Sequence, residues 1–188
     1  MEILTQTESR LRQDEIIQKI REGVLFIHPT DTIYGLGCNA LNEKAVRKIR
    51  ALKQRPAAPF SIWVPSLEWV HENCLITSKV KKWLQELPGP YTFILQLKDT
   101  SAVAKSVIPE TDFIGIRYPD HWFGKIVEKS AVPIITTSAN KTGQPFMTSI
   151  EDLDPEIEKG VEFMIYEGPK EGSPSKIVHV EKEEIRER

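Results

Sequence analysis

Three short polar segments hold the residues whose types and spacing could do chemistry. They are residues 29–37, 53–56 and 136–140, and each follows a hydrophobic stretch. They are rich in hydroxyls, amides and fixed positive charges, and none places a thiol or an imidazole as a nucleophile. Such groups align small anionic reactants and neutralise their charge. The sequence therefore predicts an enzyme that works by holding its substrates together.

The first segment follows residues 24–27, which read as a short buried strand that Pro29 ends. Thr30 and Tyr34 offer hydroxyls, and Gly35 allows a close backbone approach. In α/β sheets, ligands collect where strands end. Taken alone, the segment is explained slightly better by an ordinary Asx or Ser/Thr turn than by a ligand-binding loop.

The second segment places Lys53 and Arg55 where a helix with an apolar stripe should end, because Pro56 stops it. Leaving the helix at this point would let both side chains converge on one anion. Cations are also common at helix C-termini because the helix dipole attracts them. Without other context, this second explanation is favoured.

Two further features suggest ligand contacts. Ser138 and Asn140 leave a buried strand that ends in two threonines, although a plain turn explains them equally well. Arg117 lies within an apolar strand, where an unpaired charge costs several kcal/mol by order of magnitude. Arg117 therefore needs a carboxylate partner or a ligand, and we favour the ligand.

Composition excludes several other classes of protein. The 188 residues are 40% hydrophobic, and 25 Lys and Arg against 27 Asp and Glu give a net charge of −2, which disfavours a nucleic-acid coat. The first residues lack the layout of a signal peptide, and no apolar run could span a membrane. Cys38 and Cys74 are isolated and the histidines lack metal-like spacing, so a reducing cytoplasm is expected.

Alternating helical and strand patterns predict one α/β domain, a twisted mixed sheet with flanking helices, over residues 9–180. Short tails are predicted at residues 1–8 and 181–188. Helices are predicted over 9–22, after Asn42, after Ser66 and Ser78, from Asp120 to about 129, and after Ser149. Strands are predicted at 24–27, 60–64, 91–97, 114–118, 133–137, 161–166 and 176–180.

Taken in order, the motifs resemble those of the Sua5/YciO/YrdC family, from about residue 11 to residue 180. The motifs are residues 29–37, 53–56, 88–92, 116–119, 138–140 and 172–175. The family's threonylcarbamoyl-AMP synthases carry a set of Lys, Arg, Ser and Asn, which is matched here by Lys53, Arg55, Ser138 and Asn140. The resemblance implies a fold with a concave, positively lined cavity.

The resemblance also implies a reaction in which L-threonine, bicarbonate and ATP give threonylcarbamoyl-AMP and pyrophosphate, with Mg²⁺ accompanying the ATP. The product would serve the modification of adenosine 37 in tRNA through a separate transferase complex. Lys53, Arg55, Ser138 and Asn140 would be catalytic and face the ATP. Threonine would be bound by Thr30, Tyr34, Arg117, Thr137 and Ser175. Four positions depart from common family residues: Ala58, Trp63, Phe146 and Lys176.

Two other functions stay open at this point. A YciO-like paralogue would bind tRNA or double-stranded RNA without synthase activity. A carbamoyl-transfer module like the one in hydrogenase maturation proteins would need domains that this sequence does not contain. The retained Lys53, Arg55, Ser138 and Asn140 favour the synthase.

Overall fold

The computed structural model describes residues 1–187, where seven α-helices flank eleven strands. The helices are α1 (Gln6–Leu11), α2 (Gln13–Glu22), α3 (Glu43–Lys53), α4 (Leu67–Asn73), α5 (Ser78–Leu84), α6 (Gly124–Ser130) and α7 (Pro155–Gly160). The strands are β1 (Glu2–Leu4), β2 (Phe26–His28), β3 (Gly35–Gly37), β4 (Ser61–Trp63), β5 (Tyr91–Gln96), β6 (Phe113–Arg117), β7 (Ile134–Ile135), β8 (Thr137–Ser138), β9 (Phe163–Ile165), β10 (Lys176–His179) and β11 (Glu184–Arg186).

The strands form two mixed sheets. The first has the order β1-β9-β2-β3-β8, and the second has the order β11-β10-β5-β6-β4-β7. The chain passes from the second sheet to the first between β7 and β8, and it returns between β9 and β10. Thr136 lies at the first crossing, and residues 166–175 form the second.

Local sequence signals explain most helix ends. The side chain of Asn42 accepts a hydrogen bond from the Ala45 amide and caps α3, while Gly23 ends α2 in the left-handed region at φ 85°.

Three other predicted caps have mixed outcomes. Ser66 caps α4, as predicted. Thr77 rather than Ser78 caps α5, and α6 begins at Gly124 without a side-chain cap, so Asp120 does not have the predicted role.

The apolar faces of the helices and sheets pack into two core clusters. The larger contains the α3 residues Val46 and Ile49, and it holds both cysteines as free, buried thiols. The smaller joins α2 and α6 around Phe26 and Phe123. No helix within residues 1–187 is long and apolar enough to cross a bilayer.

The chain ends differ from the predicted tails. Residues Glu2–Leu4 pair in parallel with β9 and bury Leu4, and residues Glu184–Arg186 pair antiparallel with β10. Arg188 lies outside the described residues. The predicted strand at 133–137 is also divided, because its two halves pair with different sheets. These segments are short and partly charged, so their sequences did not indicate that they pair at the edges of the sheets.

Candidate active site

A cavity that opens to solvent is lined by residues from both sheets. Its lining is dominated by hydroxyls and contains two arginines, and none of the described lining residues is acidic. The lining residues are Thr30, Thr32, Ile33, Tyr34, Gly35, Arg55, Pro59, Ser61, Thr92, Arg117, Thr136, Thr137, Ser138, Pro174 and Ser175. This composition suits a small polar anion.

The loop between β2 and β3 forms one wall and is held by its own hydroxyls. Thr30 Oγ1 donates to the Ile33 carbonyl at 2.7 Å and accepts from the Thr32 amide at 3.1 Å. The two threonine hydroxyls are 3.0 Å apart, and both residues are buried. The local hydrogen bonds of a Ser/Thr turn therefore fix the wall before any ligand arrives.

Arg117, at the end of β6, faces this wall and pairs with a carboxylate. Its Nη2 donates to Asp31 Oδ1 at 2.8 Å and to Thr32 Oγ1 at 3.3 Å. The side chains of Arg117 and Asp31 are only 7% and 11% exposed. The carboxylate partner is therefore present, whereas we favoured the ligand, and Arg117 also lines the cavity. A buried ion pair of this kind fixes the direction of the guanidinium.

On the opposite side, Ser175 precedes β10 and meets Thr92 from β5. Their hydroxyl oxygens are 2.7 Å apart, and both residues are buried. The parallel pairing of β5 with β10 places them together. Thr92 was not among the predicted site residues, although a hydroxyl inside the apolar strand 91–97 was a signal for it.

Arg55 reaches the cavity from beyond the C-terminus of α3. Gln54 adopts a left-handed conformation at φ 50°, which turns the chain out of the helix ahead of Pro56. The Arg55 guanidinium donates to the Pro59 carbonyl at 2.7 Å and lies 5.2 Å from the centre of the Phe60 ring. Arg55 is half-buried, and it lines the cavity together with Ser138.

Lys53 does not line the cavity. It is only 2% exposed, and its ammonium donates to the carbonyls of Ser138 and Asn140 at 2.6 and 2.5 Å and to Asn140 Oδ1 at 3.2 Å. The Lys53 carbonyl in turn accepts from the hydroxyl of Thr142. Lys53 therefore holds the turn at residues 138–140 from behind.

The same turn separates the cavity from a neighbouring open groove. Ser138 lines the cavity, whereas Asn140 lines the groove, and the Ser138 hydroxyl donates to Asn140 Oδ1 at 2.5 Å. The groove is lined by Asn140, Lys141, Gln144, Pro145, Phe146, Thr148, Asp152, Leu153, Asp154 and Pro155. One ligand could therefore touch both sides of the turn.

Tyr34 lies beneath the segment that connects β9 to β10. Its hydroxyl donates to the Gly168 carbonyl at 2.6 Å and accepts from the Glu167 amide at 3.1 Å. Its ring stacks on Tyr166 at 5.5 Å. Burial raises the pKa of Tyr34 above its ordinary value, so the hydroxyl stays neutral.

Behind the cavity floor, His28 is fully buried and stacks on Phe123. Burial lowers the pKa of His28 to about 3, so the ring is neutral. A side chain on Gly35 would meet His28 Nε2 at 2.7 Å, which explains a glycine at this wall. Trp63, one of the four departures, packs beside His28 in the core and does not reach the cavity.

The other departures also lie away from the cavity. Phe146 lines the neighbouring groove, and the Ala58 carbonyl accepts from Arg50 at 3.1 Å. Lys176 is exposed and pairs with Glu187. None of the three lines the cavity, and only Phe146 lies beside the turn at 138–140.

The structure brings together all five residues assigned to threonine: Thr30, Tyr34, Arg117, Thr137 and Ser175. Of the four assigned to catalysis and ATP, Arg55 and Ser138 join them, Asn140 faces the groove, and Lys53 lies behind the turn. The site roles themselves stay predictions. In residues 1–187, no group of three or more His, Cys, Asp or Glu is placed to hold a metal ion.

Comparisons with known proteins agree with this architecture. A family model named for Sua5, YciO and YrdC, and described as "Telomere recombination", matches residues 18–187. A putative threonylcarbamoyl-AMP synthase of Methanocaldococcus jannaschii is 39% identical over 184 residues, covering 95% of this chain and 85% of that protein. A threonylcarbamoyl-AMP synthase of Pseudoalteromonas atlantica is 32% identical over 165 residues, covering 84% of this chain and 86% of that protein.

Among solved structures, P. abyssi Sua5 complexed with L-threonine superposes with a TM-score of 0.86 at 29% identity. The match covers 98% of this chain and 55% of that one, so the present chain spans about half the length of the solved Sua5 chain. The superposition confirms the predicted mixed α/β class, with the strands divided between two sheets.

Proposed function

Because this chain belongs to the Sua5/YciO/YrdC family, we propose that it is a threonylcarbamoyl-AMP synthase, a nucleotidyltransferase that joins L-threonine, bicarbonate and ATP. The observation that carries the proposal is the cavity in which all five residues assigned to threonine meet Arg55. Relatives of nearly the same length bear this name.

Threonine fits the hydroxyl-rich part of the cavity. Its carboxylate would be held by Arg117, whose guanidinium is directed by Asp31. Its hydroxyl and amine would exchange hydrogen bonds with the side chains and backbone of Thr30, Thr137 and Ser175. Tyr34 closes this region from behind through its bonds to residues 167 and 168.

ATP would lie across the turn at residues 138–140. Arg55 and Ser138 would face its phosphates from the cavity, and Asn140 would face it from the groove. Lys53 acts indirectly, because its ammonium fixes the turn. Mg²⁺ would arrive with ATP and neutralise part of the triphosphate charge.

The reaction needs alignment more than it needs a protein nucleophile. The threonine amine attacks the bicarbonate carbon and a water molecule is lost, which gives a carbamate. A carbamate oxygen then attacks the α-phosphorus, and pyrophosphate leaves. The carbamate and the triphosphate repel each other, so Arg55 contributes by placing a fixed positive charge between them. Both cysteines are buried and free, and burial raises the pKa of the Cys38 thiol, so neither is a nucleophile.

We also propose that the product supplies a separate transferase complex that modifies adenosine 37 of tRNA, and that the protein works in the reducing cytoplasm. The free thiols suit that compartment. Direct binding of tRNA or double-stranded RNA remains a prediction from the family resemblance.

Pyrophosphate release tests the proposed function. We expect release that requires ATP, L-threonine and bicarbonate together, and that stops when either of the last two is left out. Release without threonine would contradict the proposal. A salt-dependent mobility shift of tRNA without any threonine-dependent release would instead favour the RNA-binding paralogue.

A further inference from the structure

The segment from residue 166 to residue 175, here called the strap, connects the two sheets and is anchored at Glu167. The Glu167 carboxylate accepts from Trp122 Nε1 at 2.6 Å, from His121 Nε2 at 2.9 Å and from Lys170 Nζ. His121 and Trp122 come just before α6, so this carboxylate ties the strap to a different part of the fold. Three donors on one acceptor group make it the best-connected polar group of the strap.

The charge on Glu167 is stable at neutral pH. Burial alone would raise the pKa of Glu167, but hydrogen bonds from His121, Lys170 and Trp122 lower it to about 2. The side chain is 20% exposed. The carboxylate therefore remains ionised and keeps attracting the Lys170 ammonium.

Lys170 carries the connection to the cavity wall. The same ammonium that binds Glu167 donates to the backbone carbonyl of Thr30 at 2.8 Å. Thr30 begins the hydroxyl-bonded loop that lines the cavity. The position of this wall therefore depends on where Glu167 holds Lys170.

The strap meets the same loop at two further points. The Tyr34 hydroxyl bonds the backbone of residues 167 and 168. Gly172 passes so close that a Cβ on it would lie 2.3 Å from the Thr32 carbonyl oxygen. The far end of the strap supplies Pro174 and Ser175 to the cavity. The strap and the loop thus form the two sides of the amino-acid part of the cavity.

We propose that Glu167 is a positioning residue for amino-acid binding, which acts through Lys170 to hold the Thr30 wall and the strap at a fixed separation. The proposal rests on the proposed function for the identity of the amino acid, L-threonine. Neither Glu167 nor Lys170 lines the cavity, so both act through the residues that do. Their effect falls on threonine binding and leaves the ATP side unchanged.

Steady-state kinetics of Glu167→Gln test the proposal, with Glu183→Gln as the matched control. Glu183 also pairs with a lysine, Lys79, but in the ion pair between α5 and the end of the chain. We expect the KM for threonine to rise about tenfold in E167Q, because the charge-assisted hydrogen bond between residue 167 and Lys170 is lost. The KM for ATP and kcat should stay within about twofold, and E183Q should match the unmodified protein.

Lys170→Met provides a second variant, and the double variant should lose no more than either single one, because both remove the same link. Hydrogen exchange supplies a readout without substrate: amides of the strap and of residues 29–34 should exchange faster in E167Q and K170M.

Unchanged exchange in these two segments would overturn the proposal whether or not the protein turns over threonine. Equal increases in the KM for threonine and for ATP would also overturn it, whereas failure of the unmodified protein to use threonine would refute only the proposed function.

Discussion

The two sides of the cavity are built differently. On the side that we assign to threonine, the polar groups bond one another or nearby protein atoms, and the residues Thr30, Thr92, Arg117 and Ser175 are all buried. On the side that we assign to ATP, Arg55 is half-buried and belongs to a loop whose residues 56–59 are exposed. Its guanidinium donates to the Pro59 carbonyl and lies near the Phe60 ring.

This contrast indicates a division of labour. A pre-formed wall costs little ordering when a small ligand binds, and it favours selectivity. A cation beside the triphosphate can stabilise the negative charge that builds up on the leaving pyrophosphate. We therefore expect changes on the threonine side to affect binding and stability, and changes at Arg55 to affect turnover.

The largest effect is expected for Arg55→Ala. Removing a charge that stabilises the transition state should lower kcat about 10²- to 10³-fold, with little change in thermal stability. Pyrophosphate release and a melting curve measure the two quantities. Arg47→Ala changes an arginine on α3 whose side chain is 72% exposed, and this control should behave like the unmodified protein. Full activity of R55A would remove Arg55 from the mechanism.

Lys53→Met should lower both stability and activity, whereas Arg55→Ala should lower activity alone. Three acceptors in the 138–140 turn would lose their donor, so we expect unfolding to become easier by about 3 kcal/mol. Urea denaturation measures this loss. A stable K53M variant with a selectively raised KM for ATP would mean that Lys53 contacts the nucleotide directly.

A pH-dependent contribution to stability is expected from His28. The folded state holds its pKa at about 3, against an ordinary value of about 6.5, so the unfolded chain binds the proton more readily. Stability present above about pH 6.5 should therefore fall as the pH decreases, by up to about 1.4 kcal/mol per unit. Urea unfolding between about pH 7 and 5 should show a flatter dependence in His28→Gln. The exposed His71→Gln serves as the control, and identical slopes in all three proteins would contradict the assignment.

The smallest effect is expected for Thr92→Val. Loss of the 2.7 Å bond to the Ser175 hydroxyl should cost about 1 kcal/mol and raise the KM for threonine a few-fold, with kcat unchanged. Calorimetric titration with threonine measures the affinity. A larger loss in T92V than in R55A would reverse the proposed contrast between the two sides.

Sequence patterns predicted the parts of the fold that local chemistry decides. The apolar stripe of α3 with its Asn42 cap, the left-handed Gly23 and strand β5 all follow from neighbouring residues. The division into two sheets did not follow, because β7 and β8 are two residues each and choose partners through long-range pairing. Strand register of that kind depends on tertiary context.

The candidate site shows the same limit. The family resemblance assigned Thr30, Arg117 and Ser175 to threonine, and all three line one cavity, although their roles stay predictions. Residue types did not show that Lys53 points into the fold, since a lysine at a helix C-terminus has the same sequence whether it faces solvent or a buried turn. Asp31 belongs to the first polar segment, but the sequence does not show its partner, because Arg117 lies 86 positions away.

Mass spectrometry of the product formed from isotopically labelled bicarbonate tests the central claim most directly. With L-threonine and Mg²⁺–ATP, the protein should form threonylcarbamoyl-AMP that carries the labelled carbon, with no covalent adduct on the protein. AMP and pyrophosphate formed without that labelled adenylate, or a carbamoyl group attached to the protein chain, would contradict the account.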